Sequence, residues 1–97
     1  MVIIIKKTLS AFAEKHPEAA LPLNNWYSIA KTANWSKLAD VKNMFNNVDY
    51  VGNNRYVFNI KGNDFRLVTM IFFDTRTIFI RFIGTHKEYD KIDCSTI

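Results

Sequence analysis

Residues 55–72 read RYVFNIKGNDFRLVTMIF, and this stretch decides the fold. Tyr56, Phe58 and Ile60 alternate with other residues, and the alternation resumes beyond Gly62-Asn63, a pair that favours a tight turn. A period of two is typical of β-strands. The stretch therefore predicts a β-hairpin.

The turn sets the register of this hairpin. If Gly62-Asn63 is a two-residue turn, Asn59 faces Arg66 and Phe58 faces Leu67. The aromatic side chains then share one face, under the helices, and polar side chains share the other face: Arg55, Asn59, Lys61, Asp64 and Arg66. Like charges on neighbouring strands repel unless an anion lies among them. This face therefore indicates a phosphate-binding surface. The alternative is an ordinary solvated sheet face with Asp64 as the local counter-charge.

A third antiparallel strand is predicted from Ile78 to Gly84, after a loop that begins at Asp74. A loop of either two or four residues puts Phe79 and Arg81 on the polar face of the hairpin. Only a loop with an odd number of residues would turn Arg81 away. The sequence therefore predicts that Arg81 joins the anion-binding surface.

The first half of the chain predicts one strand and three helices. Val2 to Ile5 is β-branched throughout and predicts a short strand covered on both faces. The first helix is expected from Thr8, which can cap it, and ends before His16, because Pro17 forces His16 out of the helical region. The other two are expected from about Glu18 to Ala33 and from Ser36 as N-cap to Asn46-Asn47. The apolar stripes of the second and third helices are Leu23, Trp26, Tyr27, Ala30 and Ala33, and Leu38, Val41, Met44 and Phe45. The order β-α-α-α-β-β-β predicts an α+β fold, with the helices on one face of a small, mostly antiparallel sheet.

Composition bounds the class of protein. The 97 residues predict a single domain over 1–97, and 48% hydrophobic residues with only 3 Gly and 2 Pro exclude a disordered or low-complexity chain. A net charge of +4 favours polyanions only weakly, but all four arginines lie in the second half, from Arg55 onward. Cys94 is the only cysteine, which favours a reducing compartment, and the apolar residues before Lys6 are too few for a signal peptide or membrane span. We expect a cytoplasmic protein that does not bind membranes.

The run Thr85-His86-Lys87-Glu88-Tyr89-Asp90 is the densest group of proton-transfer side chains in the chain. Imidazole groups titrate near neutrality and a phenol can donate or stack, which suits metal-free cleavage of a phosphodiester. The alternative is a solvated segment in which His86 only caps a strand. Cys94, His16 and His86 lack the spacing of metal ligands, and Gly62 is isolated, so neither a metal nor a nucleotide cofactor is expected.

The hairpin, residues 55–68, and the tail IGTHKEYD, residues 83–90, together closely resemble the HigB-type toxins of bacterial toxin–antitoxin modules. The resemblance implies a RelE-like fold and a metal-independent mRNA endonuclease that acts on the ribosome. It also implies neutralisation by a helix-turn-helix antitoxin of the HigA type. The basic strand residue of the family falls on Arg66, and its tail histidine, tyrosine and acid fall on His86, Tyr89 and Asp90.

The predicted mechanism is attack of a nucleotide's own 2′-OH on the adjacent phosphate. The predicted catalytic residues are His86, Arg66, Tyr89 and Arg81, and the predicted RNA-binding residues are Lys61, Asn59, Lys87 and Asp90. The arginines would stabilise the developing charge, the histidine would transfer a proton, and the tyrosine would stack or orient. Asp90 would either fix the imidazole tautomer or pair with an arginine. A RelE-fold toxin that only binds its target, such as a gyrase poison, and a non-catalytic RNA-binding module are the alternatives.

Overall fold

A computed structural model describes residues 1–94 and 96–97. The elements in chain order are β1 (Val2–Ile4), α1 (Lys6–Lys15), a 3₁₀ turn (Pro17–Ala19), α2 (Ala20–Thr32), α3 (Leu38–Met44), β2 (Val48–Gly52), β3 (Arg55–Ile60), β4 (Phe65–Phe72), β5 (Thr77–Thr85) and α4 (His86–Tyr89). In the described part of the chain, no helix is both long and apolar enough to span a bilayer.

The five strands form one sheet in the order β1-β5-β4-β3-β2. β1 runs parallel to β5, and all other neighbours are antiparallel. This arrangement confirms the predicted α+β class with a mostly antiparallel sheet. The hairpin register is also confirmed, because Asn59 pairs with Arg66 and Phe58 pairs with Leu67.

The main core lies between the sheet and the helices α1, α2 and α3. Trp26 of α2 and Phe45, which follows α3, both meet the ring of Phe58 edge-on, with centroids 5.4 and 5.2 Å apart. Phe12 of α1 meets Phe65 in the same way at 5.3 Å. Edge-to-face packing of this kind adds to the stabilisation from apolar burial. The aromatic face of the hairpin is therefore the face that the helices cover, as the alternation predicts.

Two predictions about the first half are wrong in detail. β1 is not covered on both faces, since Val2 and Ile4 are 60% and 37% exposed at the edge of the sheet. Ser36 is not the N-cap of α3. Lys37 occupies that position, and Ser36 instead donates from its backbone N–H and its hydroxyl to the carboxylate of Asp40, both at 2.9 Å.

The predicted element order lacks two pieces that the structure contains. β2 pairs antiparallel with β3, from Val48 opposite Phe58 to Gly52 opposite Arg55, so the sheet has a hairpin before the predicted one. Its turn is made by Asn53 and Asn54, both with positive φ, a conformation that asparagine tolerates better than most residues. The second piece is α4, which directly follows β5.

The pairing of β4 with β5 contains a β-bulge. Thr69 pairs with Ile80, whereas Val68 pairs with Phe82, so Arg81 is the extra residue of β5. The register expected for a two-residue loop holds from Thr69 to Phe72, and beyond the bulge the pairing shifts by one residue. The register expected for a four-residue loop is not observed. A bulge bends its strand and releases one residue from the ladder.

The face of the sheet away from the helices is not an open polar surface. Val57 and Val68 pair with each other across that face and are only 2% and 0% exposed. Residues that follow α4 reach it, because the carbonyl oxygen of Ile97 accepts hydrogen bonds from Arg55 and Arg81. The predicted solvated or anion-binding face is therefore restricted to its end near the hairpin turn.

Candidate functional site

The tail motif is organised by a capping box at the start of α4. The N–H of Glu88 donates to the hydroxyl of Thr85 at 3.2 Å, and the N–H of Thr85 donates to the carboxylate of Glu88 at 2.8 Å. The hydrogen bond from the Thr85 backbone holds the pKa of Glu88 below its usual value. The N–H of His86 also donates to the carbonyl of Asp64, which ties α4 to the hairpin turn. The run that supplies the predicted site residues therefore has a defined orientation.

His86 and Asp90 form a pair on this helix. Nδ1 of His86 lies 3.0 Å from Oδ2 of Asp90, and both side chains are at least half exposed. When Nδ1 donates its hydrogen to the carboxylate, Nε2 of the neutral ring carries the lone pair. Of the two roles left open for Asp90, the geometry favours fixing the imidazole tautomer.

Arg66 lies beside Tyr89 on the side of the sheet away from the helices. Its guanidinium carbon is 5.8 Å from the centroid of the Tyr89 ring, and its Nη1 donates to the carbonyl of Asn63 at 3.2 Å. Asn59, the cross-strand partner of Arg66, donates to the side-chain oxygen of Asn63 at 3.4 Å. The ring and the turn thus hold the arginine in place while its remaining donors can meet an anion.

The phenol of Tyr89 is held in its neutral form. Its hydroxyl donates to Sγ of Cys94 at 3.2 Å. Burial, followed by the contact with Cys94, raises the pKa of Tyr89 to about 12, although the nearby Arg66 guanidinium opposes this shift. A phenol with this pKa is a poor general base near neutral pH.

A groove of about 510 Å³ lies between the hairpin turn and the start of α4. Three predicted residues, Lys61, His86 and Lys87, line it. Lys61 also forms an ion pair with Asp64, with 3.6 Å between Nζ and Oδ2. His16 lines the same groove, although the sequence assigns it no part in the site.

Gly84 is the cross-strand partner of Arg66 on β5. A Cβ atom at this position would lie 2.5 Å from Cζ of Phe82 and 3.1 Å from the Glu88 carboxylate. The absence of a side chain therefore lets the Phe82 ring and the capping carboxylate approach the strand next to Arg66.

Arg81 does not join this constellation. It shares the Ile97 carbonyl with Arg55 on the face away from the helices, but the Val68–Phe82 pair separates it from Arg66 along the ladder. Its Nε donates to the carbonyl of Ile97 at 3.3 Å, the oxygen that Arg55 also contacts. The structure thus brings together seven of the eight predicted residues around the turn and α4, and it places Arg81 apart from them.

Residues 1–94 and 96–97 contain no group of three or more His, Cys, Asp or Glu side chains arranged to hold a metal ion. The nearest approach to such a group within the site is the pair His86 and Asp90.

Residues 19–92 match a protein family described as HigB toxin, the RelE-like toxic component of a toxin–antitoxin system. The match covers most of the chain and includes both the hairpin and the tail motif. The chain belongs to the HigB toxin family. The family resemblance and the RelE-like fold expected from residues 55–68 and 83–90 are thereby confirmed.

The names of similar proteins agree with this assignment. The chain is 36% identical over 93 residues to a protein named mRNA interferase toxin HigB of Escherichia coli strain K12, covering 93% of this chain and 88% of that protein. The identity and coverage are the same for the mRNA interferase HigB of Shigella flexneri. An mRNA interferase HigB of Escherichia coli O6:H1 is 33% identical over 94 residues, which are 95% of this chain and 91% of that protein.

Proposed function

We propose that this HigB family member is an mRNA interferase, an endoribonuclease that cleaves mRNA on the ribosome in the cytoplasm and thereby inhibits translation. The observation that carries the proposal is the His86–Asp90 pair beside the Arg66–Tyr89 pair, in a chain whose relatives are named mRNA interferases. A protein that only bound its target would need the positive charge but no oriented imidazole.

The reaction is an internal transesterification. The 2′-oxygen of one nucleotide attacks the adjacent phosphorus, a bond forms between them, and the bond from phosphorus to the 5′-oxygen of the next nucleotide breaks. One proton leaves the 2′-OH and one proton joins the departing 5′-oxygen. The products are a 2′,3′-cyclic phosphate and a 5′-OH, so atoms and charge balance without a cofactor.

In this scheme His86 transfers a proton through Nε2. Asp90 holds the other ring nitrogen, sets the tautomer and stabilises the imidazolium that forms. A positioned general acid or base of this kind contributes roughly 10²–10⁴-fold to the rate. The second proton is exchanged with solvent or with a group of the ribosome.

Arg66 stabilises the negative charge that develops on the phosphate. Its guanidinium is held by Asn63 and rests against Tyr89, so little reorganisation is needed when the charge appears. Tyr89 positions Arg66 and stacks, and it does not serve as the general base, because a pKa of about 12 keeps the phenol neutral. Lys61, Lys87 and Asn59 contribute to RNA binding near the turn.

Cleavage is tested by translating a defined mRNA in vitro and mapping the new mRNA ends. We expect the wild-type protein to produce internal ends and His86→Gln to lose roughly 10²–10⁴ in rate, because glutamine can hydrogen-bond but cannot exchange a proton. Lys42→Gln, a change on the exposed surface of α3, serves as the control and should cleave normally. Translation arrest without new mRNA ends would refute the proposal in favour of a binding inhibitor.

The partner that keeps such a toxin inactive is proposed to be a helix-turn-helix antitoxin of the HigA type. The family is the toxic component of a toxin–antitoxin system, which calls for an antitoxin. Expression of this chain alone should stop growth, and co-expression with an adjacent antitoxin gene should restore growth and yield a stable complex. A chain that is harmless at high expression and binds no neighbouring gene product would contradict this assignment.

A further inference from the structure

The groove between the hairpin turn and α4 contains a second histidine that the proposed reaction does not use. The His16 ring stacks on Phe12 with 4.5 Å between centroids and 24° between planes, and it meets Phe65 edge-on at 5.6 Å. About a third of the side chain, 32%, remains exposed. An aromatic ring fixed by two others and still partly exposed can stack on a further ring at little cost in conformational entropy.

The charges that surround this ring are mixed rather than uniformly positive. Lys61 pairs with Asp64, and Nδ1 of His16 lies 3.5 Å from the carboxylate of Glu18. Asn63 adds both a donor and an acceptor to the lining of the groove. A phosphate favours donors and cations, and the two carboxylates of this lining would repel it, whereas a nucleobase presents donors and acceptors along one flat edge.

The groove is also close to the proposed reaction centre. His86 lines it directly, and the carbonyl of Asn63 accepts the hydrogen bond from Arg66. Its volume of about 510 Å³ falls within the range of about 300–1,000 Å³ that is typical of ligand-binding clefts. A nucleotide next to the cleaved phosphate could therefore place its base there.

We propose that this groove receives a base of the mRNA that flanks the cleaved phosphate, with His16 as the stacking platform. Glu18, Asn63 and Asp64 contact the edge of the base and so discriminate between the four bases. This inference rests on the proposed ribonuclease function. It makes His16 a specificity-determining residue rather than a catalytic residue, because it contacts the flanking base and not the reacting atoms.

The first test compares the cleavage-site preference of His16→Ala and His16→Phe on ribosome-bound mRNA. Loss of a base stack corresponds to about 5- to 150-fold in binding. We expect His16→Ala to lose that factor at favoured sites and to flatten the preference at the flanking nucleotide, and His16→Phe to retain the preference. Tyr50→Ala, which removes a half-exposed aromatic ring on β2, is the control and should keep the wild-type pattern.

A purely structural role of His16 gives a different result. Loss of packing on Phe12 and Phe65 would slow cleavage at every site by the same factor and leave the preference unchanged. A His16→Ala protein with that pattern, folded as judged by its thermal transition, would overturn the proposal.

The second test asks whether the groove binds a base or a phosphate, and it does not require cleavage. Histidine ring resonances of the intact protein are followed by NMR during titration with each of the four ribonucleoside 5′-monophosphates and with ribose 5-phosphate. We expect ring-current shifts at His16 with at least one nucleotide and none with the base-free sugar phosphate. Equal shifts with ribose 5-phosphate, or none with any nucleotide, would refute base binding. A wild-type protein that cleaves no mRNA but shows base-dependent shifts would refute the proposed function and leave the groove assignment standing.

Discussion

The replacement Asp90→Asn distinguishes the contribution of the His86–Asp90 pair to the free energy of unfolding from its contribution to the rate of cleavage. Nδ1 and Oδ2 are 3.0 Å apart, and the side chains are 50% and 58% exposed. Exposed ion pairs stabilise a fold by about 0–1 kcal/mol. We therefore expect the free energy of unfolding to fall by less than about 1 kcal/mol.

The effect on cleavage should be larger. Asparagine occupies the same volume, but its amide can donate to Nδ1 and so favour the tautomer in which Nε2 carries the hydrogen. It also removes the charge that stabilises the imidazolium. At 3.0 Å that charge is worth about 1.4 kcal/mol at the dielectric constant of water, or about tenfold in rate, and more in a site that the ribosome desolvates. We expect Asp90→Asn to lose about 10–100-fold in the rate of cleavage.

The assay is single-turnover cleavage of end-labelled mRNA on preassembled ribosome complexes, alongside urea unfolding of the same proteins. Glu14→Gln makes the same change of charge on the exposed surface of α1 and should leave the cleavage rate unchanged. Asp90→Glu keeps a carboxylate and should recover part of the loss. A cleavage rate for Asp90→Asn within about fivefold of wild type, the equivalent of about 1 kcal/mol, would refute a catalytic role for the pair.

Three further predictions concern the surroundings of this pair. Gly84→Ala should lower the free energy of unfolding by about 1–3 kcal/mol, because its Cβ would meet the Phe82 ring, and an unchanged urea midpoint would contradict that contact. The raised pKa of Tyr89 means that the folded state holds this proton more tightly, so the associated stability is complete below pH 10 and is lost as the pH rises from 10 through about 12. Tyrosinate absorbance is titrated in the wild type and in Tyr89→Phe, and the difference between the two curves reports on Tyr89. This difference should appear near pH 12, and a difference near pH 10 would contradict the burial of the phenol. Arg81→Ala should slow cleavage less than Arg66→Ala because Arg81 contacts Ile97, and equal losses in a single-turnover assay would place both arginines at the phosphate.

The sequence predicts those parts of the fold whose signal is local. The hairpin is predicted by the alternation of apolar residues and by the turn pair Gly62-Asn63. The site residues of the tail are predicted by the contiguous motif of residues 83–90. β2 is missed because it has only five residues and its pairing depends on the turn at Asn53 and Asn54, which resembles a simple boundary between helices and strands. The place of His16 in the groove is missed for another reason. It depends on packing against Phe65, which is remote in sequence.

The misplacement of Arg81 has a signal in the sequence. Ile78 and Ile80 are two residues apart and both pack in the core, but the next core-facing residue is Ile83, three residues on. A strand with uninterrupted alternation would put Phe82 under the helices, so the change of spacing requires one extra residue and therefore a bulge. The bulge has a functional consequence, because it sets which residues leave β5 beside the hairpin turn. With it, Thr85 pairs with Phe65 and the N–H of the next residue, His86, reaches the carbonyl of Asp64. Without it, the tail would be displaced by one residue and would present its opposite face, so the irregularity that removes Arg81 from the site also orients the histidine within it.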